Sequence, residues 1–270
     1  MDEDIGSGDL SSASLFSGSA QATAVILAKQ DGVLAGLPVA EEVFRSLDAG
    51  LHWKSILEDG KEMHCGQTAA EMKGRLLAIL AGERVALNFL QRMSGIATLT
   101  RQFVKAVEGL GTRILDTRKT VPGLRMLDKY AVRMGGGCNH RFGLYDGVLL
   151  KDNHIQAAGG VRNAVKGARQ NLPPIYKIEV EVRSLPEVEE ALAAHADLLL
   201  LDNMSPEEMQ QAVRFIERRV PVEASGCVTL ETVREIAATG VDFISIGALT
   251  HSVRALDLSL EVTPSHGSAV

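Results

Sequence analysis

The stretch "ILDTRKT" at residues 114–120 ends a hydrophobic run and then sets out Asp116, Arg118 and Lys119 beside two threonines. Two adjacent cations just past a buried strand form either a solvated loop or one wall of an anion site. The neighbouring strand ends decide between these, because parallel α/β folds gather their chemistry at the carboxyl ends of the strands. Here the other ends carry Lys151-Asp152-Asn153-His154, then Asp202-Asn203 after "LLLL", Ser225-Gly226 after "VPVEA" and Gly247 after "ISI". His140 and Arg141 follow "GGGCN", whose glycines read as a turn, and precede "DGVLL". One rim thus collects Arg118, Lys119, His140, Arg141 and Lys151 against Glu181 and Asp202.

Each piece has an ordinary reading on its own. Arg118 and Lys119 suit a solvated loop, His140 and Arg141 suit turn polarity, and Lys151 could pair with Asp152. Glu181 is less easily dismissed. In "KIEVEV" the two-residue alternation sends Lys177, Glu179 and Glu181 to one face. A packed core would leave those charges stranded at several kcal/mol each (order of magnitude), so a polar lumen or mouth is expected. At the last two strands, "EASG" and "SIGALT" end in small residues that let backbone N–H groups approach a ligand. Loops after the last strands of a barrel are a frequent phosphate site. The rim therefore suits a ligand with several negative charges and a phosphate at one end. Two carboxylates opposite suit Mg²⁺ or a cationic sugar centre.

The elements that must position these residues follow a β/α rhythm. "TRILD", "DGVLL", "YKIEVEV", "ADLLLLD", "VPVEA" and "VDFISIG" read as strands. Between them lie helical faces such as Leu185, Val188 and Leu192, or Met209, Val213 and Ile216. "SLPE" at 184–187 and "SPEE" at 205–208 carry capping-box spacing, and Gly240 sits where a helix ends. Alternation of this kind implies a parallel sheet with right-handed crossovers. The stretch is short against the roughly 250 residues of an eight-stranded barrel, so an incomplete α/β barrel fits, with an open doubly wound sheet as the rival. Before it, "TAVILAKQDGVLAG" (23–36) and "GLHWKSILEDGKEM" (50–63) read as strands about turns, and "PVAEEVFRSL" (38–47) as a helix. Residues 82–109 carry long helical periodicity and join a separate α+β domain to the barrel. The end, "TPSHGSAV", reads as a disordered tail.

Composition narrows the class. The chain has 270 residues, 46% of them hydrophobic, and a formal net charge of −6. Interspersed charges without a basic stripe argue against a nucleic-acid binder. No apolar run approaches the roughly 18–20 residues needed to span a bilayer, so no membrane partner is expected. The start, "MDEDIGSGDLSS", is acidic and polar, unlike a secretory signal. Cys65, Cys138 and Cys227 are widely spaced and odd in number, which suggests neither disulfides nor zinc and favours a cytoplasmic protein.

Taken together, "GERVALNFLQRMSGIATLT", "DTRKTVPGLR", "HRFGLYDGVLLKDNHI", "KIEVEV", "LLLLDNMSPEE", "VEASGCVTLE" and "GVDFISIGALTHS" closely resemble the quinolinate phosphoribosyltransferases. The resemblance runs from "DIGSGDLSS" to about "LDLSLEV". It implies an α/β fold with an N-terminal α/β sandwich (1–110), to which 252–270 returns, and an incomplete seven-stranded α/β barrel (111–251). It also implies phosphoribosyl transfer from phosphoribosyl pyrophosphate to quinolinate with loss of CO2, giving nicotinate mononucleotide for NAD biosynthesis. By matching motif, Arg84, Arg118, His140 and Arg141 would hold the two quinolinate carboxylates. Lys119 and Lys151 would lie near pyrophosphate and the reacting acid. Glu181 and Asp202 would bind ribose hydroxyls or Mg²⁺, and Ser225, Gly226 and Gly247 would receive the 5′-phosphate. A homodimer or higher homo-oligomer, with Arg84 reaching across to the partner's barrel, is implied as well. Members usually carry a further N-terminal helix before "DIGSGD" and often glycine where Cys227 stands.

Three other classes compete. A nicotinate transferase would need fewer cations than this rim offers. An imine-forming aldolase would use Lys151 with a depressed pKa, against which its cationic neighbours would also bind anions. A non-catalytic relative would bind phosphoribosyl pyrophosphate without turning it over.

Overall fold

Over residues 1–264, which the computed structural model describes, small and β-branched residues alternate into strands wherever one face can be buried. The chain begins with α1 (Leu10–Leu15), β1 (Gln21–Ala28), β2 (Gly32–Val33), α2 (Leu37–Leu47), β3 (His52–Ser55), β4 (Glu62–Met63) and β5 (Thr68–Arg75). The long α3 (Leu76–Ala106) follows, then β6 (Arg113–Leu115), α4 (Arg125–Met134), β7 (Val148–Leu150), α5 (Asp152–Ala158) and α6 (Val161–Asn171). Next come β8 (Ile178–Val182), α7 (Leu185–Ala193), β9 (Leu198–Asp202), α8 (Pro206–Ile216) and β10 (Val222–Ser225). The last elements are α9 (Val233–Ala238), β11 (Phe243–Ser245), α10 (Ala248–His251) and β12 (Leu258–Pro264). The described residues divide into two compact units: residues 1–101, 126–136 and 253–264 form the first, and 102–125 with 137–252 the second.

In the first unit an antiparallel sheet runs β12-β1-β5-β3. Ala22, Ala24, Ile26 and Ala28 point inward from β1, and their small size lets helices lie close over the sheet. One such helix, α2, buries Leu37, Ala40, Val43 and Phe44 at helical spacing. Asp59 satisfies its first donors, accepting from the N–H groups of Gly36 (2.7 Å) and Leu37 (3.1 Å). Gly82 of α3 is needed for close approach, because a Cβ there would lie 2.8 Å from the Phe44 ring. Gln91 of the same helix pins the last strand: its Nε2 donates to the Leu258 carbonyl at 2.9 Å, and its own carbonyl accepts from Leu256.

The second unit is a parallel sheet ordered β6-β11-β10-β9-β8-β7. A single parallel bridge from Leu115 to Cys138 adds a rudimentary seventh member beside β6. Six full strands and that bridge make a partial α/β barrel. Outward residues of the strands, such as Ile178, Val180 and Val182 on β8, are buried; α6 and α7 pack on β8, and α9 on β11. The inward residues of β8 and β10 are Glu179, Glu181 and Glu223, all buried. Ser184 and Ser205 cap α7 and α8 as their spacing predicts, and Gly240 follows α9 in the left-handed region at φ +95°.

Several elements depart from the sequence reading. The helix expected from residue 82 begins at Leu76, so Arg84 lies well inside α3. Strand β5 and helix α4 were not anticipated. Lys177 precedes β8 and is exposed, so it does not share the inward face with Glu179 and Glu181. Thr263 and Pro264, read as part of a tail, complete β12; the rest of "TPSHGSAV" lies outside the described residues. Among the described residues no helix is long and apolar enough to cross a membrane.

Candidate active site

The end of β6 is anchored by a fully buried carboxylate. Asp116 Oδ1 accepts the backbone N–H of His140 (2.8 Å) and Oδ2 accepts Asn139 Nδ2 (2.6 Å), which ties the segment before β7 to the first barrel strand. Arg125 binds the same two loops from the other side, donating to Thr120 Oγ1 (3.0 Å), the Arg118 carbonyl (3.4 Å) and the Phe142 carbonyl (3.1 Å). These contacts bring Arg118 and Arg141 together. Burial, followed by the charge of Arg118, lowers the pKa of the Arg141 guanidinium, while Glu179 and Asp146 act in the opposite sense. Arg118 Nε is buried without a hydrogen-bond partner. Two mutually repelling guanidiniums, one with an orphaned donor, are an arrangement that an anion would stabilise.

The ring of His140 faces the barrel lumen. Its Nε2 lies 3.2 Å from Glu179 Oε2 and 3.6 Å from Glu223 Oε2, and its Nδ1 accepts the Arg141 backbone N–H at 2.8 Å. In this arrangement both ring nitrogens are engaged with the protein, Nε2 beside the two glutamates and Nδ1 with the Arg141 backbone.

On the next strands a second charged group gathers. Lys151 stands at the start of α5 with Nζ 3.4 Å from Glu181 Oε2. Arg183, one residue past β8, reaches Glu181 Oε1 (3.3 Å), Asp202 Oδ2 (3.1 Å) and Asp152 Oδ2 (3.3 Å). Its hydrogen bond to Asp202 is the first cause of its raised pKa. Glu181 and Asp202 are thus oriented by two cations and form a place built to hold positive charge.

At the far strands, Gly226 has φ +107°, and a Cβ there would lie 2.2 Å from Asn203 Oδ1. Cys227 follows with φ +45°, so the turn after Ser225 is left-handed over two residues. Gly247 precedes α10, where a Cβ would meet the Lys119 side chain at 2.9 Å. Thr250 Oγ1 holds the Lys119 carbonyl at 2.8 Å. Lys119 and Gly247 are therefore neighbours, as the strand order β6-β11 requires.

The second unit thus carries Arg118, Lys119, His140, Arg141, Lys151, Glu181, Asp202, Ser225, Gly226 and Gly247 at one end of its strands. Arg84 is an exposed residue of the first unit. Sequence reasoning passed over Asp116 as an anchor, and also Glu223 and Arg183. Glu223 had a readable signal: like Glu179 and Glu181, it is a glutamate between two outward apolar residues of a buried strand.

Two family models divide the chain between them. "Quinolinate phosphoribosyl transferase, N-terminal domain" matches residues 9–94 and the corresponding C-terminal domain residues 96–261. The chain is 48% identical over 268 residues to the probable nicotinate-nucleotide pyrophosphorylase (carboxylating) of Bacillus subtilis strain 168, covering 98% of this chain and 92% of that one. It is 44% identical over 281 residues to quinolinate phosphoribosyltransferase (decarboxylating) 2a, mitochondrial, of Nicotiana tabacum, covering 97% and 80%. The solved structure of NadC from Streptococcus pyogenes superimposes with a TM-score of 0.95 at 43% identity, over 98% and 94% of the two chains.

Proposed function

The chain belongs to the quinolinate phosphoribosyltransferase family, and from that premise we propose how its residues perform decarboxylating phosphoribosyl transfer. Phosphoribosyl pyrophosphate and quinolinate give nicotinate mononucleotide, pyrophosphate and CO2, a step of NAD biosynthesis. The observation that carries the reading is the Arg118–Arg141 pair, whose mutual repulsion and orphaned Nε call for a ligand with more than one negative charge. Quinolinate brings two adjacent carboxylates.

Bound there, the pyridine nitrogen is aimed at ribose C1 while Lys119 and Lys151 neutralise the departing pyrophosphate and the nearby acid groups. Glu181 and Asp202 hold ribose hydroxyls and favour the positive charge that develops at C1. The backbone about Ser225, Gly226 and Gly247 receives the 5′-phosphate. Once the nitrogen is bonded to ribose it is cationic and stabilises the electron pair left by CO2, so the enzyme's share of the second step is orientation and exclusion of water.

Mg²⁺ fits this site. Glu181 and Asp202 offer the one or two hard carboxylate oxygens that Mg²⁺ takes alongside phosphate oxygens, and cationic groups already occupy that position. A Mg²⁺ there supplies charge neutralisation to the pyrophosphate. We also propose a homodimer in which Arg84 completes the partner's site. Incubation with quinolinate, phosphoribosyl pyrophosphate and Mg²⁺ tests the reading: nicotinate mononucleotide forms from quinolinate, and nicotinate offered in its place is a poor acceptor. Equal turnover of the two acids would contradict it.

A further inference from the structure

In the lumen, two buried carboxylates and one half-buried imidazole bring their potential ligand atoms within 4.8 Å of one another. Glu179 comes from β8, Glu223 from β10 and His140 from the segment fastened by Asp116. The charged and polar groups facing Glu223 are Glu179, His140 and Ser245 of β11, with Arg141 and Arg118 beyond Glu179. Glu179 Oε1 and Glu223 Oε1 are both buried and lack a hydrogen-bond partner.

The hydrogen bonds fix where the protons are. His140 Nδ1 accepts the Arg141 N–H, so the neutral ring carries its proton on Nε2. That single proton faces two carboxylates, at 3.2 and 3.6 Å. Metal binding at Nε2 is disfavoured, because a ligating histidine donates its other ring N–H outward and here that nitrogen is an acceptor. Two buried carboxylates about one N–H cannot both be ionised without strong mutual repulsion. The more deeply buried, Glu223, is the one to carry a proton, and as an acid it becomes a donor where both orphan oxygens had been acceptors.

We propose that Glu223 is a positioning residue for the reaction: as the neutral acid beside Glu179 it holds His140 in one tautomer, and through the ring it holds Arg141 facing the dicarboxylate. This rests on the reading of Arg118 and Arg141 as the quinolinate site. A second anion in the lumen would compete with the substrate for those cations. Burial and then the Glu179 charge push the Glu223 carboxyl up to about 7, which puts its ionisation within reach of a pH profile.

The test measures KM for each substrate from pH 6 to 9 in wild type, Glu223→Gln and Glu223→Ala, with ¹⁵N spectra of the His140 ring. In wild type, KM for quinolinate rises above neutral pH while KM for phosphoribosyl pyrophosphate stays level. Glu223→Gln, a permanent neutral donor, keeps a low KM and loses the alkaline rise. Glu223→Ala raises KM for quinolinate by about tenfold or more, the factor of an unsatisfied buried group. If Gln weakens quinolinate binding as Ala does, or keeps the alkaline rise, the proposal is overturned. The spectra are independent of turnover: Nε2 protonated and Nδ1 bare near neutral pH supports it, and an imidazolium there overturns it. A wild type that ignores quinolinate while showing the expected ring tautomer would count against the substrate reading alone. If the alanine variant does not fold, the glutamine variant and the spectra still decide.

Discussion

Asp116 Oδ1 accepts the backbone N–H of His140 at 2.8 Å, so a fully buried carboxylate at the end of one strand sets the position of the loop carrying His140 and Arg141. Its other oxygen takes Asn139 Nδ2 at 2.6 Å. Asp116→Ala leaves these donors without their acceptor, at about 1–3 kcal/mol for each that stays buried. The variant is expected to melt earlier and to show a raised KM for quinolinate. Unchanged thermal stability with unchanged KM would remove Asp116 from this role.

Arg118→Ala and Arg141→Ala each remove one member of the repelling pair. Charged hydrogen bonds are worth about 1.5–3 kcal/mol, so quinolinate binding should weaken by about 10–100-fold. Affinity for phosphoribosyl pyrophosphate should change much less. Calorimetric titration of each substrate separates the two, and equal losses for both would contradict the assignment.

Glu181→Gln and Asp202→Asn keep the shape of the proposed ribose site and remove the charges proposed to favour a cation at C1. Their expected signature is a lower kcat with KM for quinolinate little changed. Loss of folding stability with wild-type kinetics in the native fraction would instead mark them as structural.

Stability itself should depend on Glu223. Its folded pKa, about 7, lies above its unshifted value of 4.5, so the folded state holds an extra proton between these values. The contribution is complete below the unfolded value and is lost as pH rises through the folded one. Urea denaturation from pH 4.5 to 8 should therefore show wild type losing stability relative to Glu223→Gln as pH increases. A constant difference across the range would be the contrary result.

The shared-site proposal is tested by mixing subunits. Arg84→Ala and Lys151→Ala homodimers should each be severely impaired. In a mixed dimer, the barrel with intact Lys151 receives Arg84 from the other chain, so one site is whole and activity returns. If Arg84 served its own barrel every site would keep a lesion, and verified heterodimers would stay inactive.

Much of this architecture could be read from the chain. The six parallel strands are short Val, Ile and Leu runs between capped helices, and the cations Arg118, Lys119, Arg141 and Lys151 stand just past strand ends or in the loop before β7. What escaped has physical causes. Strand β5, "TAAEMKGR", buries Ala69, Ala70 and Met72, which are not β-formers by type and become strand only against β1 and β3. Arg183 looks like a solvated residue after β8; its partners Asp202 and Asp152 are 19 and 31 residues away in sequence. Glu223 is meaningful only beside Glu179 and His140, which come from other elements. Local pattern reports which face a residue takes, and only the assembled sheet reports what it meets there.

The most direct measurement follows the 2-carboxyl carbon of labelled quinolinate together with pyrophosphate and nicotinate mononucleotide. The account predicts that labelled CO2 appears only when phosphoribosyl pyrophosphate is present, in equal amount with the other two products, and that Arg118→Ala depresses all three together. CO2 release without phosphoribosyl pyrophosphate, or pyrophosphate release without CO2, would contradict it.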